Sequence, residues 1–141
     1  MLLKDILAHK GTGVLSIEPS ATMAQAVEKM VAHRCGCLVV CHGETMVGII
    51  SERDVLRAIS GVPDTLDKIS VEERMTKDVI TGPPDQNIND TMGLMTKNHV
   101  RHLPVVDGGR LAGIISIGDV VKAQHQKLEM ENHLLMSYIQ S

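Results

Sequence analysis

Two serines in this sequence are each followed by an aspartate three positions later. They are Ser51 with Asp54 and Ser116 with Asp119, and each pair follows the tripeptide Gly-Ile-Ile. An apolar β-branched run that changes to a helical pattern predicts a strand entering a helix N-terminus. Free N–H groups there can bind phosphate, and a nearby carboxylate can accept both hydroxyls of a ribose. A capping box, with Ser as N-cap and the acid bonding back to the chain, explains the same residues, and the two interpretations are compatible.

Both pairs belong to an internal repeat. The segment from Gly48 to Val55 returns almost unchanged from Gly113 to Val120, at an offset of 113 − 48 = 65 residues. The same offset aligns, without a gap, Val14 with Val79, Pro19 with Pro84, Met30 with Met95, Leu38 with Leu103, Val40 with Val105, Gly43 with Gly108 and Ala58 with Ala123. Self-similarity at a fixed period indicates a duplicated structural unit.

Each half of the duplication predicts the order strand, helix, strand, strand, helix. The predicted elements of the first half are a strand at 14–17, a helix capped by Thr22, strands at 37–41 and 46–50, and a helix from Ser51. Those of the second half are a strand at 79–81, a helix near 88–97, strands at 102–106 and 111–115, and a helix from Ser116. The fold class is therefore a mixed α/β one of the α+β type.

Apolar spacing also predicts which helix faces are buried. The residues expected to face inward are Met23, Ala26, Val27, Met30 and Val31 on one helix of the first half and Val55, Leu56 and Ile59 on the other. Pro104, inside a predicted strand, favours an edge position or the start of that strand.

The duplication divides the chain into five parts. They are a leading helix and turn at 1–13, the first repeat at 14–60, a linker at 61–78, the second repeat at 79–125 and a helix extension at 126–141. The linker begins with a loop at 61–64, and Ser70 with Glu73 predicts a capped helical turn. The extension carries the C-terminal stripe, Leu128, Met130, Leu134, Leu135 and Tyr138, which is longer than one repeat can cover and predicts packing against a second subunit.

Composition restricts the function classes. The chain has 141 residues, 43% of them apolar and 22% charged, and its formal net charge of −3 disfavours general nucleic-acid binding. Tyr138 is its one aromatic residue among Phe, Trp and Tyr, so the core must be aliphatic with Met. The sequence therefore disfavours a single-stranded nucleic-acid site built on stacked aromatic side chains. Without an 18-residue apolar run or a signal-peptide pattern, we expect a cytoplasmic protein, or an organellar one whose transit peptide has been removed.

Three cysteines lie close together in the first repeat. Cys35, Cys37 and Cys41 precede His42, but they fall on a predicted buried strand, where Cys acts as a small apolar residue. Their spacing lacks the paired C-x-x-C of zinc sites. We expect structural thiols and no metal.

The duplicated unit resembles a known family through three further features. These are Gly-Ile-Ile-Ser-x-x-Asp in both copies, the stretch from Arg101 to Asp107, and Glu73-Arg74-Met75 in the linker. Together they resemble the tandem cystathionine-β-synthase (CBS) domain pair, or Bateman module, over nearly the whole chain. The likeness is greatest to the small stand-alone CBS-pair proteins of bacteria and plant organelles.

This resemblance implies two repeats packed through their sheets about a pseudo-twofold axis, with two clefts, and modules that pair into a flat dimer. It implies that the clefts bind AMP, ADP, ATP, S-adenosylmethionine or NAD, with Asp54 and Asp119 on the ribose hydroxyls and Ser51 and Ser116 near phosphate or ribose. Further contacts to adenine and phosphate are implied for Ser16, Gly36 and Cys37 in the first repeat, and for Thr81, Gly82, Arg101, His102, Leu103 and Pro104 in the second.

Charge makes the two predicted sites unequal. Arg101 and His102 can bind phosphate oxygens, whereas the first repeat has Gly36 and Cys37 at the aligned positions. Arg53 is the compensating candidate there. The second site is therefore expected to bind anions better, although Arg101 and His102 as a solvated surface pair, and Arg53 as an exposed helix residue, stay open alternatives.

The resemblance and these residues together predict a non-catalytic regulatory module that needs no cofactor. The resemblance implies that it takes an adenine nucleotide as regulatory ligand, forms a homodimer and acts on an effector protein in trans. No Gly-x-Ser-x-Gly, His-Glu-x-x-His or Walker pattern supports an enzyme. The alternative is a structural or stress protein whose clefts are empty and whose C-terminal helix is the interaction surface.

Overall fold

The structure, a computed structural model, describes residues 1–61 and 65–140. Residues 62–64 of the predicted loop at 61–64 lie outside the described residues. In chain order the elements are α1 (Leu3–Lys10), β1 (Ser16–Ile17), α2 (Met23–His33), β2 (Cys37–His42), β3 (Thr45–Ser51), α3 (Glu52–Gly61), α4 (Val71–Arg74), α5 (Ile88–Lys97), β4 (His102–Asp107), β5 (Arg110–Ser116) and α6 (Ile117–Gln140). The α+β class predicted from the duplication is confirmed.

The chain forms two units. One is Gly13–Val79, and the other combines Met1–Thr12 with Ile80–Ser141. We call them the first-repeat unit and the second-repeat unit. Each has its own apolar core of aliphatic residues and Met, which agrees with the near absence of aromatic residues.

The sheets show the duplication at the level of register. In the first-repeat unit the order is β1-β2-β3, with β2 and β3 antiparallel and Cys37 opposite Ser51. In the second-repeat unit β4 and β5 are antiparallel, with His102 opposite Ser116. The register shifts directly after Val40 in one hairpin and after Val105 in the other, which are aligned positions of the repeat. Both hairpins therefore deliver the serine to the same place, where the strand ends and the helix begins.

The strand predicted at 79–81 is wrong. Between residues 79 and 82 the structure has one bridge, in which Gly82 pairs in parallel with Val105. Gly82 N–H donates to the Pro104 carbonyl at 3.1 Å, and the Gly82 carbonyl accepts from Val106 N–H at 3.0 Å. Pro83 and Pro84 follow, and because proline has no N–H the ladder ends there.

The predicted helix starts agree with the structure. Thr22 Oγ1 accepts from Gln25 N–H at 3.1 Å, and the Gln25 side chain accepts from Thr22 N–H at 2.9 Å, which completes a capping box. In the linker, Ser70 Oγ accepts from Glu73 N–H at 3.3 Å. The α5 helix has the predicted bounds.

Three of the predicted inward residues are in fact exposed. Val31 is 72% exposed, Leu56 67% and Ile59 37%. On α3 the buried positions are Asp54 and Ala58, which lie four residues apart on one face. Because the Asp54 carboxylate is hydrogen-bonded inside, it turns that face inward and rotates Leu56 and Ile59 toward solvent.

The leading helix α1 has the same place in the second-repeat unit that α4 has in the first-repeat unit. In the latter, Val71 N–H donates to the Ala21 carbonyl at 2.8 Å and Glu72 N–H to the Pro19 carbonyl at 3.0 Å. The aligned carbonyls of the other unit, those of Gln86 and Pro84, accept from Leu3 at 3.0 Å and from Lys4 at 2.9 Å. Residues 71 and 3 are thus equivalent at an offset of 71 − 3 = 68, three more than the offset of the rest of the repeat.

The same equivalence explains the glycine of each Gly-Ile-Ile-Ser. A Cβ on Gly48 would lie 2.6 Å from Met75 Sδ, and a Cβ on Gly113 would lie 2.6 Å from Leu7 Cδ2. Met75 and Leu7 are also 68 residues apart. Each strand therefore needs glycine because the equivalent segments, Leu7 in α1 and Met75 directly after α4, pack against its backbone.

Candidate functional site

In the first Ser-Asp turn, both carboxylate oxygens of Asp54 accept hydrogen bonds from residues of the same unit. Ser51 N–H and Ser51 Oγ donate to Asp54 Oδ2 at 2.9 and 3.1 Å, and Thr76 Oγ1 donates to Asp54 Oδ1 at 3.3 Å. Asp54 is 6% exposed. Both carboxylate oxygens are used inside the unit, so the turn has the structure of a stable helix start.

The second Ser-Asp turn is a complete capping box. Ser116 N–H donates to Asp119 Oδ2 at 2.8 Å, and Asp119 N–H donates back to Ser116 Oγ at 3.1 Å. The capping interpretation of this pair is therefore confirmed. The capping hydrogen bond to the carboxylate is made to Oδ2.

Lys10, at the end of α1, binds this second carboxylate. Its Nζ lies 2.6 Å from Asp119 Oδ2 and donates to the Ile114 carbonyl at 2.9 Å. In the first-repeat unit the aligned carbonyl, that of Ile49, accepts from Thr76 N–H at 2.9 Å. Lys10 thus binds the carbonyl and the carboxylate that are equivalent to those bound by Thr76, but it does so with a cation.

Electrostatics and exposure distinguish Asp119 from Asp54. Burial by itself raises the pKa of Asp119, but the hydrogen bonds from Lys10 and Ser116 and the charge of Lys10 outweigh it, and the pKa lies below its ordinary value of 3.8. The side chains of Lys10 and Asp119 are 34% and 25% exposed. Asp119 is therefore an ionised and accessible carboxylate at neutral pH.

A cavity of about 250 Å³ lies beside the Lys10–Asp119 pair. It is formed between α1 and the first turns of α6, and its lining residues are Met1, Ile6, His9, Lys10, Asp119, Lys122, Ala123 and Gln126. Two lysines, one imidazole and one amide surround a single carboxylate, with an apolar wall from α1. This set can bind hydroxyl groups at Asp119 and an anionic group at the lysines.

The residues just before each hairpin contact the helix start through their backbones. The Gly36 carbonyl accepts from Glu52 N–H at 3.0 Å, and the Arg101 carbonyl accepts from Ile117 N–H at 2.7 Å. Cys37 and His102, the next residues, lie opposite the two serines in the sheets. The structure thus brings these predicted residues to their turns, where the two carbonyls help to cap α3 and α6.

The other predicted site residues are more dispersed. Gly82, Leu103 and Pro104 are buried, and Leu103 belongs to the apolar core of its unit. Thr81, Arg53 and Arg101 are exposed, while His102 is half-buried. The Ser16 carbonyl accepts a hydrogen bond from Lys29 Nζ.

Of the residues predicted for the second turn, Asp119 lines the cavity. The basic lining residues His9, Lys10 and Lys122 were not among the predicted site residues. The two from α1, His9 and Lys10, were missed because the repeat was aligned at a single offset of 65. An alignment of residues 1–8 with 69–76, at 68, would have placed α1 against the second turn and Lys10 close to Asp119.

The cysteines are free thiols on and beside β2, with Cys37 buried and Cys35 and Cys41 half-buried. Burial raises the pKa of the Cys41 thiol, and the negative charge of Glu18 adds to this, so the thiol stays protonated at neutral pH. Within residues 1–61 and 65–140, no three His, Cys, Asp or Glu side chains come together as a metal site would require. The same part of the chain has no helix long and apolar enough to cross a membrane.

Comparison with known proteins gives a consistent result. The family model of the CBS domain matches residues 3–61 and 70–126. The mitochondrial CBS domain-containing protein CBSX3 of Arabidopsis thaliana is 34% identical over 147 residues, covering 98% of this chain and 71% of its own. Both family matches begin at the equivalent segments that contain α1 and α4.

Two solved structures are also similar. The CBS-domain containing protein ATU1752 of Agrobacterium tumefaciens has a TM-score of 0.85 and 38% identity, covering 88% of this chain and 99% of its own. The CBS domain pair of protein MJ0100, solved in complex with 5′-methylthioadenosine and S-adenosyl-L-methionine, has a TM-score of 0.77 and 26% identity, covering 90% of this chain and 98% of its own.

Proposed function

The chain belongs to the CBS domain family, and from that premise we propose that it is a non-catalytic regulatory module which binds an adenosine-containing ligand. The candidate ligands are AMP, ADP and ATP, with NAD(H) and S-adenosylmethionine as further members of the class. The ligand acts as a signal and is not a required cofactor. The complex of MJ0100 with two adenosine derivatives supports this class of ligand for a pair of CBS domains.

The observation that carries the proposal is the state of Asp119. Its carboxylate is ionised, partly exposed and beside a cavity, and Oδ1 is left by the capping box for a hydroxyl donor. The two hydroxyls of a ribose are the donors that such a carboxylate binds best, since charged acceptors form the stronger hydrogen bonds. Asp54 is buried and both of its oxygens are hydrogen-bonded within the unit, which makes the second turn the preferred site.

The test is isothermal titration calorimetry of the purified chain with AMP, ADP, ATP, NAD, NADH, S-adenosylmethionine and GMP. We expect binding of adenosine ligands to the wild type, and its loss in Asp119→Ala. Glu129→Ala, which removes an exposed carboxylate further along α6, is the matched control and should bind normally. If none of the adenosine ligands binds the wild type, the proposal is wrong.

We place the action of this module in trans, on an effector protein, and propose that the module is a homodimer. Beyond Ala123, the last buried residue of α6, the C-terminal stripe is exposed along the helix. Val121, Leu128 and Leu135 recur at the seven-residue spacing of a helix–helix seam. A second copy of the chain presents the same stripe, so one twofold contact would cover both.

For location we propose the cytoplasm. The three cysteines are free thiols, and free thiols are typical of a reducing compartment. A fluorescent fusion of the full chain, observed in its native cell, tests this; fluorescence confined to an organelle or to the cell exterior would contradict it.

The second candidate function is an interaction protein that works through α6 without a ligand. The exposed residues of the C-terminal stripe favour it, since a solvated helix does not need them. The two candidates differ in one measurement. A ligand at 100 times its dissociation constant raises stability by about 2.7 kcal/mol, whereas an interaction protein with empty clefts unfolds at the same temperature with and without nucleotide.

A further inference from the structure

We propose that Lys10 selects for ligands with an anionic group, by exchanging its ion pair with Asp119 for one with the ligand. This inference rests on the proposed function and specifies the ligand class as a phosphate-bearing adenosine compound. It assigns α1, which lies outside the duplicated Gly-Ile-Ile-Ser-x-x-Asp pattern, a direct part in ligand binding.

Lys10 binds a carboxylate oxygen of Asp119 that a ribose hydroxyl would also bind. Its Nζ lies 2.6 Å from Asp119 Oδ2, so a ribose that uses both carboxylate oxygens must share Oδ2 with the lysine or displace it. The lysine side chain is 34% exposed and its charge is on a flexible stem. It can therefore turn into the cavity without unfolding α1, whose buried residues Leu3, Ile6 and Leu7 hold the helix in place.

The charges around the cavity show what the displaced lysine requires. Lys122 and His9 line the same cavity as Lys10, and Asp119 is its one carboxylate. When a ribose hydroxyl displaces Lys10 from Asp119 Oδ2, the Lys10 ammonium loses its direct contact with a counter-charge. A phosphate restores it, because each lysine can then donate charge-assisted hydrogen bonds to phosphate oxygens. A neutral nucleoside provides no such compensation, and the cationic sulfonium of S-adenosylmethionine adds repulsion.

The first turn shows that the lysine is not needed to build the fold. There Thr76 binds the aligned carbonyl of Ile49 and the carboxylate of Asp54, and it carries no charge. The same structural task is thus done by a neutral hydroxyl in one unit and by a cation in the other. The cation, Lys10, is found at the turn that has the accessible carboxylate and the cavity, where its charge can bind a ligand.

The experiment compares AMP with adenosine, which share everything but the phosphate, by calorimetry on four proteins. We expect the wild type to bind AMP at least about tenfold tighter than adenosine, given the strength of charge-assisted hydrogen bonds. Lys10→Met should weaken AMP by about 10- to 100-fold and leave adenosine unchanged or slightly tighter, since Asp119 is released from the lysine. Lys10→Arg should keep the preference for AMP.

Lys4→Met is the matched control. It removes the same charge from the same helix, but Lys4 does not line the cavity, so both affinities should be those of the wild type. Thermal unfolding of each variant without ligand verifies that α1 is still in place, and the half-exposed ion pair should contribute little to stability.

Two outcomes overturn the inference while the proposed function survives. One is a wild type that binds AMP and adenosine equally. The other is a Lys10→Met variant that loses both ligands by the same factor, which would make the lysine a support for Asp119 alone. A wild type that binds neither compound overturns the proposed function, and this inference with it.

Discussion

The ammonium of Lys10 lies 2.6 Å from the carboxylate of Asp119, across 109 residues of sequence. The contact joins the last turn of the first helix to the first turn of the last helix, within one unit of the fold. Its counterpart in the other unit is a hydrogen bond from the uncharged hydroxyl of Thr76 to Asp54. Two turns of nearly identical sequence thus differ in exposure and charge because different segments pack against them.

Asp119 is predicted to discriminate ribose from deoxyribose. Because its carboxylate would accept both ribose hydroxyls, the wild type should bind AMP tighter than 2′-deoxy-AMP by about tenfold, the usual strength of a hydrogen bond to a charged group. In Asp119→Ala the preference should disappear, with AMP weakened much more than 2′-deoxy-AMP. Calorimetry with both nucleotides measures this, and equal weakening of the two would remove the assigned role.

The strand glycines are predicted to tolerate no side chain. Gly113→Ala should destabilise the protein by about 1–3 kcal/mol, the usual cost of overpacking, because its Cβ would lie 2.6 Å from Leu7 Cδ2. Chemical denaturation measures the effect. Gly93→Ala is the control: Gly93 is in α5 with open space around it, and alanine there should stabilise the helix by about 0.5–1 kcal/mol.

Shortening the side chain that faces each glycine should relieve the clash at Gly113 better than the clash at Gly48. Leu7→Ala in the Gly113→Ala background removes the clashing atoms, so the double variant should be less destabilised than the sum of the single ones. Met75→Ala should rescue Gly48→Ala less well, because the Thr76 carbonyl remains 2.9 Å from the new Cβ. Additive effects in the Leu7 pair would contradict the packing described here.

Much of the fold could be predicted because the information is local or repeated. The register of Ser51 and Ser116, the caps at Thr22 and Ser70 and the continuous α6 all follow from short-range patterns. The inward face of α3 could not be predicted from apolar spacing, because hydrogen bonds from Ser51 and Thr76 allow the charged Asp54 to be buried there. Lys10 was missed for a different reason: its partner is distant in sequence, and α1 follows a different offset from the rest of the repeat.

The stability contributed by Asp119 should depend on pH in a defined direction. Its pKa in the folded protein is below the ordinary value of 3.8, so the folded state favours the ionised form. The contribution is therefore complete above the unfolded pKa of about 3.9 and is lost as the pH falls through the lower folded value. The stability difference between wild type and Asp119→Asn, from denaturation at several pH values, should be constant near neutrality and shrink below about pH 4. A difference that grows on acidification would contradict this assignment.

The C-terminal stripe is predicted to hold two copies of the chain together. Leu128 and Leu135 are 53% and 62% exposed and one heptad apart on α6, so burying both in a twofold contact would remove apolar surface from water on each copy. Leu128→Asp with Leu135→Asp should halve the mass measured by light scattering, and deletion from residue 128 onward should do the same. His133→Asp, an exposed polar position of the same helix at a different point of the heptad, serves as the control and should remain dimeric. Because the apolar cores of both units lie before residue 128, nucleotide binding should persist in the monomer, and its loss there would show that the ligand site needs the second copy.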